Sequence, residues 1–131
     1  MFQSSGKKIV YLAGGFRSGW QAKVKSKLPS YIFLDPSQHN IEDPAEYTQW
    51  DLNAIRKSDI VIGYMESTNP GGYSLALEIG FARALGKTVL LVDEIANPLV
   101  DRYFEMVRQC SDYLFTTLDE AIELLLKSER I

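Results

Sequence analysis

The chain opens its first patterned stretch with Lys8–Ala13 (KIVYLA), a near-continuous apolar run that predicts a fully buried strand. Gly14-Gly15-Phe16-Arg17-Ser18-Gly19 then reads as a turn. Trp20, Val24 and Leu28 recur at i, i+4 and i+8, which predicts a helix ended by Pro29. Tyr31–Leu34 predicts a second strand, and the polar stretch from Asp35 to Asp43, with Pro36 and Asn40, a loop. Asp43 is suited to cap a helix that has Pro44 first and Glu46 third, running to about Lys57. Asp59–Met65 (DIVIGYM) predicts a third strand, and Glu66 to Gly72 a loop. A helix is expected from Tyr73 to Leu85, with Gly86 placed where a left-handed cap glycine belongs. Lys87–Val92 predicts the fourth strand, Pro98–Gln109 a helix, Tyr113–Phe115 a short fifth strand and Leu118–Lys127 a terminal helix.

Strands alternating with helices predict a parallel sheet covered on both faces. Five such units in 131 residues suit one three-layer α/β/α domain, doubly wound and flavodoxin-like (Rossmann-like), with strand order 2-1-3-4-5. The domain is expected to span residues 1–131, with residues 1–7 a disordered lead-in. In such folds ligands sit at the carboxyl ends of the strands, beside the switch between strands 1 and 3. The glycine-rich segments Gly14–Gly19 and Glu66–Gly72 lie there, each feeding a helix.

Two helices carry a carboxylate on the wrong face. The stripe Tyr47, Trp50, Ala54 and Ile55 places Asp51 inside its arc, while Leu52 points away. Facing the sheet, Asp51 would be desolvated and its pKa raised, as suits a proton donor. A buried Asp capping a backbone N–H or pairing with a lysine fits the spacing equally well. In the next helix Glu78 stands among Leu75, Ile79, Phe81, Ala82 and Leu85. It follows a glycine turn at a strand's carboxyl end, near a helix N-terminus expected to favour its anion, so a nucleophilic role is the favoured reading. The bland alternative is an ion pair with Arg17, Arg56 or Arg83. Two carboxylates meeting in one pocket permit glycoside-type chemistry, one attacking the anomeric carbon and the other handling the leaving group's proton.

Composition narrows the field. The chain is 46% hydrophobic and 24% charged, ordinary for a globular protein. Lys plus Arg number 14 against 17 Asp plus Glu, a net charge of −3 that argues against a nucleic-acid polymer as partner. A small phosphorylated ligand needs only a local cation. The single Cys110 cannot pair within the chain, which points to a reducing, cytoplasmic setting. No secretory signal pattern and no apolar stretch near ~20 residues is present, so no membrane is expected.

Other signals carry less. The segment from Gly80 to Thr88 resembles a phosphate-binding P-loop, but it has five residues between its glycines and runs from helix to strand, the reverse of that motif. The turn Gly14–Gly19 is not a dinucleotide fingerprint; it reads either as an anion site assisted by Arg17 or as a tight turn with a solvated arginine. His39, the lone histidine, reads as a loop-packing residue, and no metal or cofactor site is expected. Cys110 reads as structural. Tyr11, Phe16, Trp20, Tyr47 and Trp50 read mainly as core, several of them near the predicted pocket mouth.

Three segments in order carry a resemblance. They are Tyr11-Leu12-Ala13-Gly14-Gly15-Phe16, the stretch from Trp50 to Ile62 (WDLNAIRKSDIVI) and the stretch from Gly71 to Lys87 (GGYSLALEIGFARALGK). Together, across Lys8 to Val92, they resemble the nucleoside 2-deoxyribosyltransferase family. The resemblance implies exchange of a nucleoside's base through a covalent glycosyl-glutamate, or hydrolysis of nucleoside 5′-monophosphates by the same route. It implies Glu78 as the nucleophile, Asp51 as the carboxylate at the base and Tyr11 as the hydrogen-bond partner of Glu78. Gly14, Gly15, Phe16, Gly71, Gly72 and Ser74 would line the pocket, with Phe16 or Trp20 against the base.

Arg17 resembles the phosphate-contacting arginine of the hydrolases. Gly72 departs from the family, which carries Asp or Ser there to hold sugar or phosphate; Ser74 and Asn69 are candidate substitutes. The implied partners are a nucleoside or nucleotide, a free base, and a second copy of the chain in a homodimer or larger assembly. Two other classes stay open: a non-catalytic nucleotide-binding module, motivated by Gly72, and a structural subunit of a larger assembly, which leaves the misplaced carboxylates unexplained.

Overall fold

Alternation of side chains along buried strands lets one sheet face two helical layers at once. In the computed structural model, which describes residues 6–69 and 72–129, five parallel strands do this in the order β2-β1-β3-β4-β5. They are β1 (Ile9–Gly14), β2 (Ile32–Leu34), β3 (Ile60–Met65), β4 (Thr88–Asp93) and β5 (Tyr113–Phe115). The helices are α1 (Trp20–Lys27), α2 (Pro44–Lys57), α3 (Tyr73–Ala84), α4 (Pro98–Asp101), α5 (Glu105–Gln109) and α6 (Leu118–Glu129). The expected flavodoxin-like architecture and strand order are those observed. The expected lead-in falls mainly on residues 1–5, which lie outside the described residues.

Period two divides β1 between two cores. Val10 and Leu12 meet Trp20 and Val24 of α1, Leu28 at its C-terminal cap and Leu125 of α6. Tyr11 and Ala13 face the other way, toward Ala54 and Ile55 of α2 and Leu75 and Ile79 of α3. A tyrosine in an otherwise apolar strand is thereby delivered to the α2–α3 side, where both misplaced carboxylates also lie.

Gly63 sets the depth of α3. It pairs in register with Ala13, and a Cβ built on it would sit 2.7 Å from Ile79 Cδ1 and 3.1 Å from Leu75 Cδ1. The missing side chain lets α3 lie close on the sheet.

The helix starts and stops follow the sequence cues. Asp43 accepts from Glu46 N at 3.0 Å, with Pro44 opening α2. Gly86 follows α3 with φ 74°. Two expectations need correction. Leu85, expected on the buried face of α3, is 42% exposed, because it is already the capping residue where the chain turns off toward Gly86. The single helix expected over Pro98–Gln109 is α4, a 3₁₀ turn at Arg102–Phe104 and then α5. The tighter turn accompanies burial of Phe104, while Arg108 beyond it pairs with Asp93 at 2.5 Å and also with Asp101.

Candidate active site

A cavity of about 460 Å³ opens at the carboxyl ends of β1 and β3. Its walls come from the turn after β1 (Gly14, Gly15, Phe16), the loop after β2 (Pro36, His39, Ile41), α2 (Tyr47, Asp51) and the start of α3. Asn69, Gly72, Tyr73, Ser74, Leu75 and Glu78 complete it. This is the switch point where the strand order reverses and where an open α/β sheet leaves a crevice.

Glu78 lies among the lining residues and is 7% exposed. Its Oε2 accepts from the Tyr11 hydroxyl at 2.5 Å. Burial drives the Tyr11 pKa far up, and the neighbouring Glu78 adds to the effect. The phenol therefore stays protonated and remains a donor. Burial likewise pushes the Glu78 carboxyl up to about 7; the Tyr11 O–H works against this and the Asp51 charge adds to it. This corrects the expectation that the helix terminus holds Glu78 ionised. Glu78 is the sixth residue of α3, beyond the first turn in which the dipole acts, so desolvation wins. Glu78 is also not paired with an arginine among the described residues. Arg56 stacks over Phe81 and donates to Asn53 Oδ1, and Arg83 lies 3.7 Å from Asp112.

Asp51 reaches the cavity from α2, as the helical periodicity predicts, and keeps a side-chain exposure of 21%. Burial raises its pKa, and a hydrogen bond from His39 opposes the rise. His39 Nε2 lies 3.2 Å from Asp51 Oδ1, its Nδ1 accepts from Ile41 N at 3.0 Å, and its ring meets Trp50 edge-on with centroids 4.7 Å apart. Sequence reasoning placed His39 in loop packing and missed this pair. The one available signal was a polar loop flanked by proline and leading into the Asp51 helix.

Gly14, Gly15, Phe16, Gly72 and Ser74 line the cavity as expected. Gly71 lies outside the described residues. Arg17 is exposed and is not among the lining residues, so the structure does not bring it to the carboxylates. Trp20, expected against a base, is a correction: it is 3% exposed and belongs to the core under the opposite face. Its indole N–H donates to Gly15 O at 2.9 Å, and Gln21 donates to the same carbonyl, so both brace the glycine turn from behind. Glu66, overlooked in the sequence, is buried at the end of β3 and accepts from the Ser18 hydroxyl, tying the same turn to the sheet. Gly72 caps α3 in the left-handed region (φ 69°), and a Cβ there would meet Met65 Sδ at 2.9 Å. An aspartate or serine at this position would be strained; Asn69 and Ser74 stand on the same wall.

Chemically, the cavity offers a buried carboxylate of near-neutral pKa, a permanent phenol donor beside it, a second carboxylate with a histidine behind it, and a glycine-lined mouth. No helix among the described residues is long and apolar enough to cross a membrane.

The chain is similar to known proteins in sequence family and in fold. A family model described as "Nucleoside 2-deoxyribosyltransferase like" matches residues 7–95. No curated protein sequence matches. Among solved structures, a 2-desoxiribosyltransferase from Leishmania mexicana is similar with a TM-score of 0.73 at 19% identity, covering 92% of this chain and 97% of that one. A 2-deoxyribosyltransferase from Bacillus psychrosaccharolyticus gives 0.69 at 19% identity, covering 87% and 90%. The CMP N-glycosidase of Clostridium botulinum gives 0.60 at 21% identity, covering 90% and 98%. At these identities the solved structures speak for the fold. The family match covers most of the chain, including Tyr11, Asp51 and Glu78, and on it the chain belongs to the nucleoside 2-deoxyribosyltransferase-like family.

Proposed function

We propose that this protein cleaves the N-glycosidic bond of nucleosides through a covalent glycosyl-glutamate and passes the sugar to a second base. The observation that carries the reading is the buried Tyr11–Glu78 hydrogen bond set in the wall of a cavity that also holds Asp51. In the first step an ionised Glu78 oxygen attacks C1′ as the C1′–N bond breaks. The bonding pair leaves with the base, and the Asp51 carboxyl supplies the proton that neutralises it. In the second step the ring nitrogen of an incoming base attacks C1′, Asp51 takes that nitrogen's proton, and the glutamyl ester bond breaks to free Glu78. Tyr11 donates to the Glu78 oxygen, fixing its direction and easing its departure as a carboxylate.

The glycine turn at Gly14 and Gly15 gives the sugar close approach to backbone, and Phe16 offers a face to the base. Asn69 and Ser74 take the sugar-hydroxyl contacts that a side chain at position 72 would otherwise make. A metal or cofactor has no part in these steps.

A homodimer or larger assembly is proposed alongside. Tyr73 and Leu77 on α3 and Leu99, Tyr103 and Met106 on α4, the 3₁₀ turn and α5 are all more than half exposed, and Tyr73 also lines the cavity. Apolar side chains of this size left in water suit burial by a second copy. The lone free Cys110 is in keeping with a cytoplasmic setting.

The test is chromatography of base release from a panel of deoxynucleosides, ribonucleosides and their 5′-monophosphates, each with and without a second free base. New nucleosides formed only with added base support transfer. Free base with sugar, or with sugar phosphate, makes the enzyme a hydrolase instead, and release from monophosphates alone would give Arg17 a phosphate to hold. No turnover anywhere rejects the catalytic reading in favour of a binding module.

A further inference from the structure

His39 has its two ring nitrogens committed in opposite senses. Nδ1 accepts the backbone N–H of Ile41 at 3.0 Å, so it carries no proton of its own. In the neutral ring the proton is then on Nε2, which lies 3.2 Å from Asp51 Oδ1. The ring cannot swing away freely, because Trp50 meets it edge-on at 4.7 Å and its side chain is only 12% exposed. His39, Ile41 and Asp51 all border the cavity.

We propose that His39 is a positioning residue for Asp51: held in its Nε2–H form by the Ile41 amide, it fixes one carboxylate oxygen and leaves the other turned to the departing base. Asp51 is the only acidic residue of α2 that lines the cavity, and a carboxylate with 21% side-chain exposure has freedom to rotate unless something holds it. One hydrogen bond from a fixed tautomer removes that freedom. The inference rests on Asp51 handling the base's proton, and it concerns orientation, not contact with substrate. The groups that face Asp51 are His39 from the loop after β2, Tyr11 from β1 and Glu78 from α3, with Tyr47 one turn away on α2.

Two variants separate positioning from packing. His39→Gln keeps an N–H near the Nε2 position; His39→Phe keeps the ring and its contact with Trp50 but has no donor. Nitrogen-15 NMR of the free protein should show the neutral Nε2–H tautomer. Carbon-13 titration of the Asp51 carboxyl should move to higher pH in His39→Phe and stay near the wild-type midpoint in His39→Gln. With an active substrate, His39→Phe should lower kcat about tenfold or more with KM little changed, and His39→Gln should restore most of it.

An Nδ1–H tautomer, an Asp51 midpoint that does not move in His39→Phe, or equal kcat losses in both variants would overturn the proposal. The NMR readings need no substrate. Absence of turnover in the wild type would therefore defeat the proposed reaction while the His39–Asp51 relation was still decided.

Discussion

The Tyr11 hydroxyl donates to Glu78 Oε2 at 2.5 Å across a buried boundary between strand and helix, joining two residues 67 positions apart in sequence. Tyr11 faces α3 because of the pleat of β1, and Glu78 faces β1 because it lies on the apolar arc of α3. The bond stabilises the ionised carboxylate against its burial. Removing it in Tyr11→Phe should therefore raise the Glu78 pKa above about 7. The nucleophile must be ionised, so the acid limb of the kcat/KM profile should move to higher pH, and kcat at neutral pH should fall by about tenfold or more. A pH–rate profile of the variant beside the wild type checks both.

Glu78 also makes a prediction about stability. The folded carboxyl loses its proton near 7, the unfolded one near 4.5. Between these values the unfolded chain ionises first. Burial of Glu78 is thus tolerated fully below about pH 4.5, and stability is lost as pH rises toward 7, by on the order of 3 kcal/mol. Glu78→Gln should be close to wild type in stability at pH 4 and more stable at pH 8, while turnover falls by orders of magnitude. Urea denaturation at the two pH values reads the difference.

Asp51 is assigned to the leaving group's proton. Asp51→Asn should cost most with bases that leave poorly and least with nucleosides whose base departs readily as an anion. Comparing kcat/KM across leaving groups of graded basicity shows this as a steeper dependence in the variant.

Gly63 ties the fold to the site. Gly63→Ala places a methyl against Ile79 and Leu75, and α3 must shift or the side chains leave their rotamers. The expected loss is about 1–3 kcal/mol in stability, with a fall in kcat beyond that of a remote variant of equal stability, because Glu78 rides on the same helix. Thermal melts and single-substrate kinetics together separate the two effects.

The exposed apolar residues predict association. Tyr103→Glu with Met106→Glu should yield monomers by sedimentation where the wild type is larger, with unchanged far-ultraviolet circular dichroism.

What the chain discloses by periodicity is uneven for physical reasons. Asp51 and Glu78 are visible because a charged residue inside an apolar helical arc breaks a pattern of known period. Tyr11 breaks no pattern, since a tyrosine in a buried strand is ordinary, and it was reached through the family resemblance. His39 meets Asp51 across 12 residues of loop and helix, a contact that no periodicity encodes. Trp20 was already in the α1 stripe with Val24 and Leu28, and that spacing, which makes it core, describes its place better than its nearness to the glycine turn did. The carboxylate on the apolar arc was legible; its protonation was not, because burial outweighs a helix dipole that fades after one turn.

The proposed reaction turns most directly on whether Glu78 bonds to sugar. Incubation with a 2′-fluoro nucleoside, which slows release of the glycosyl-enzyme, followed by peptide mass spectrometry would answer this. The expected result is one fluorosugar mass on the peptide bearing Glu78, with base released in equal amount and no adduct in Glu78→Gln. Base release without an adduct, or an adduct on another residue, would contradict it.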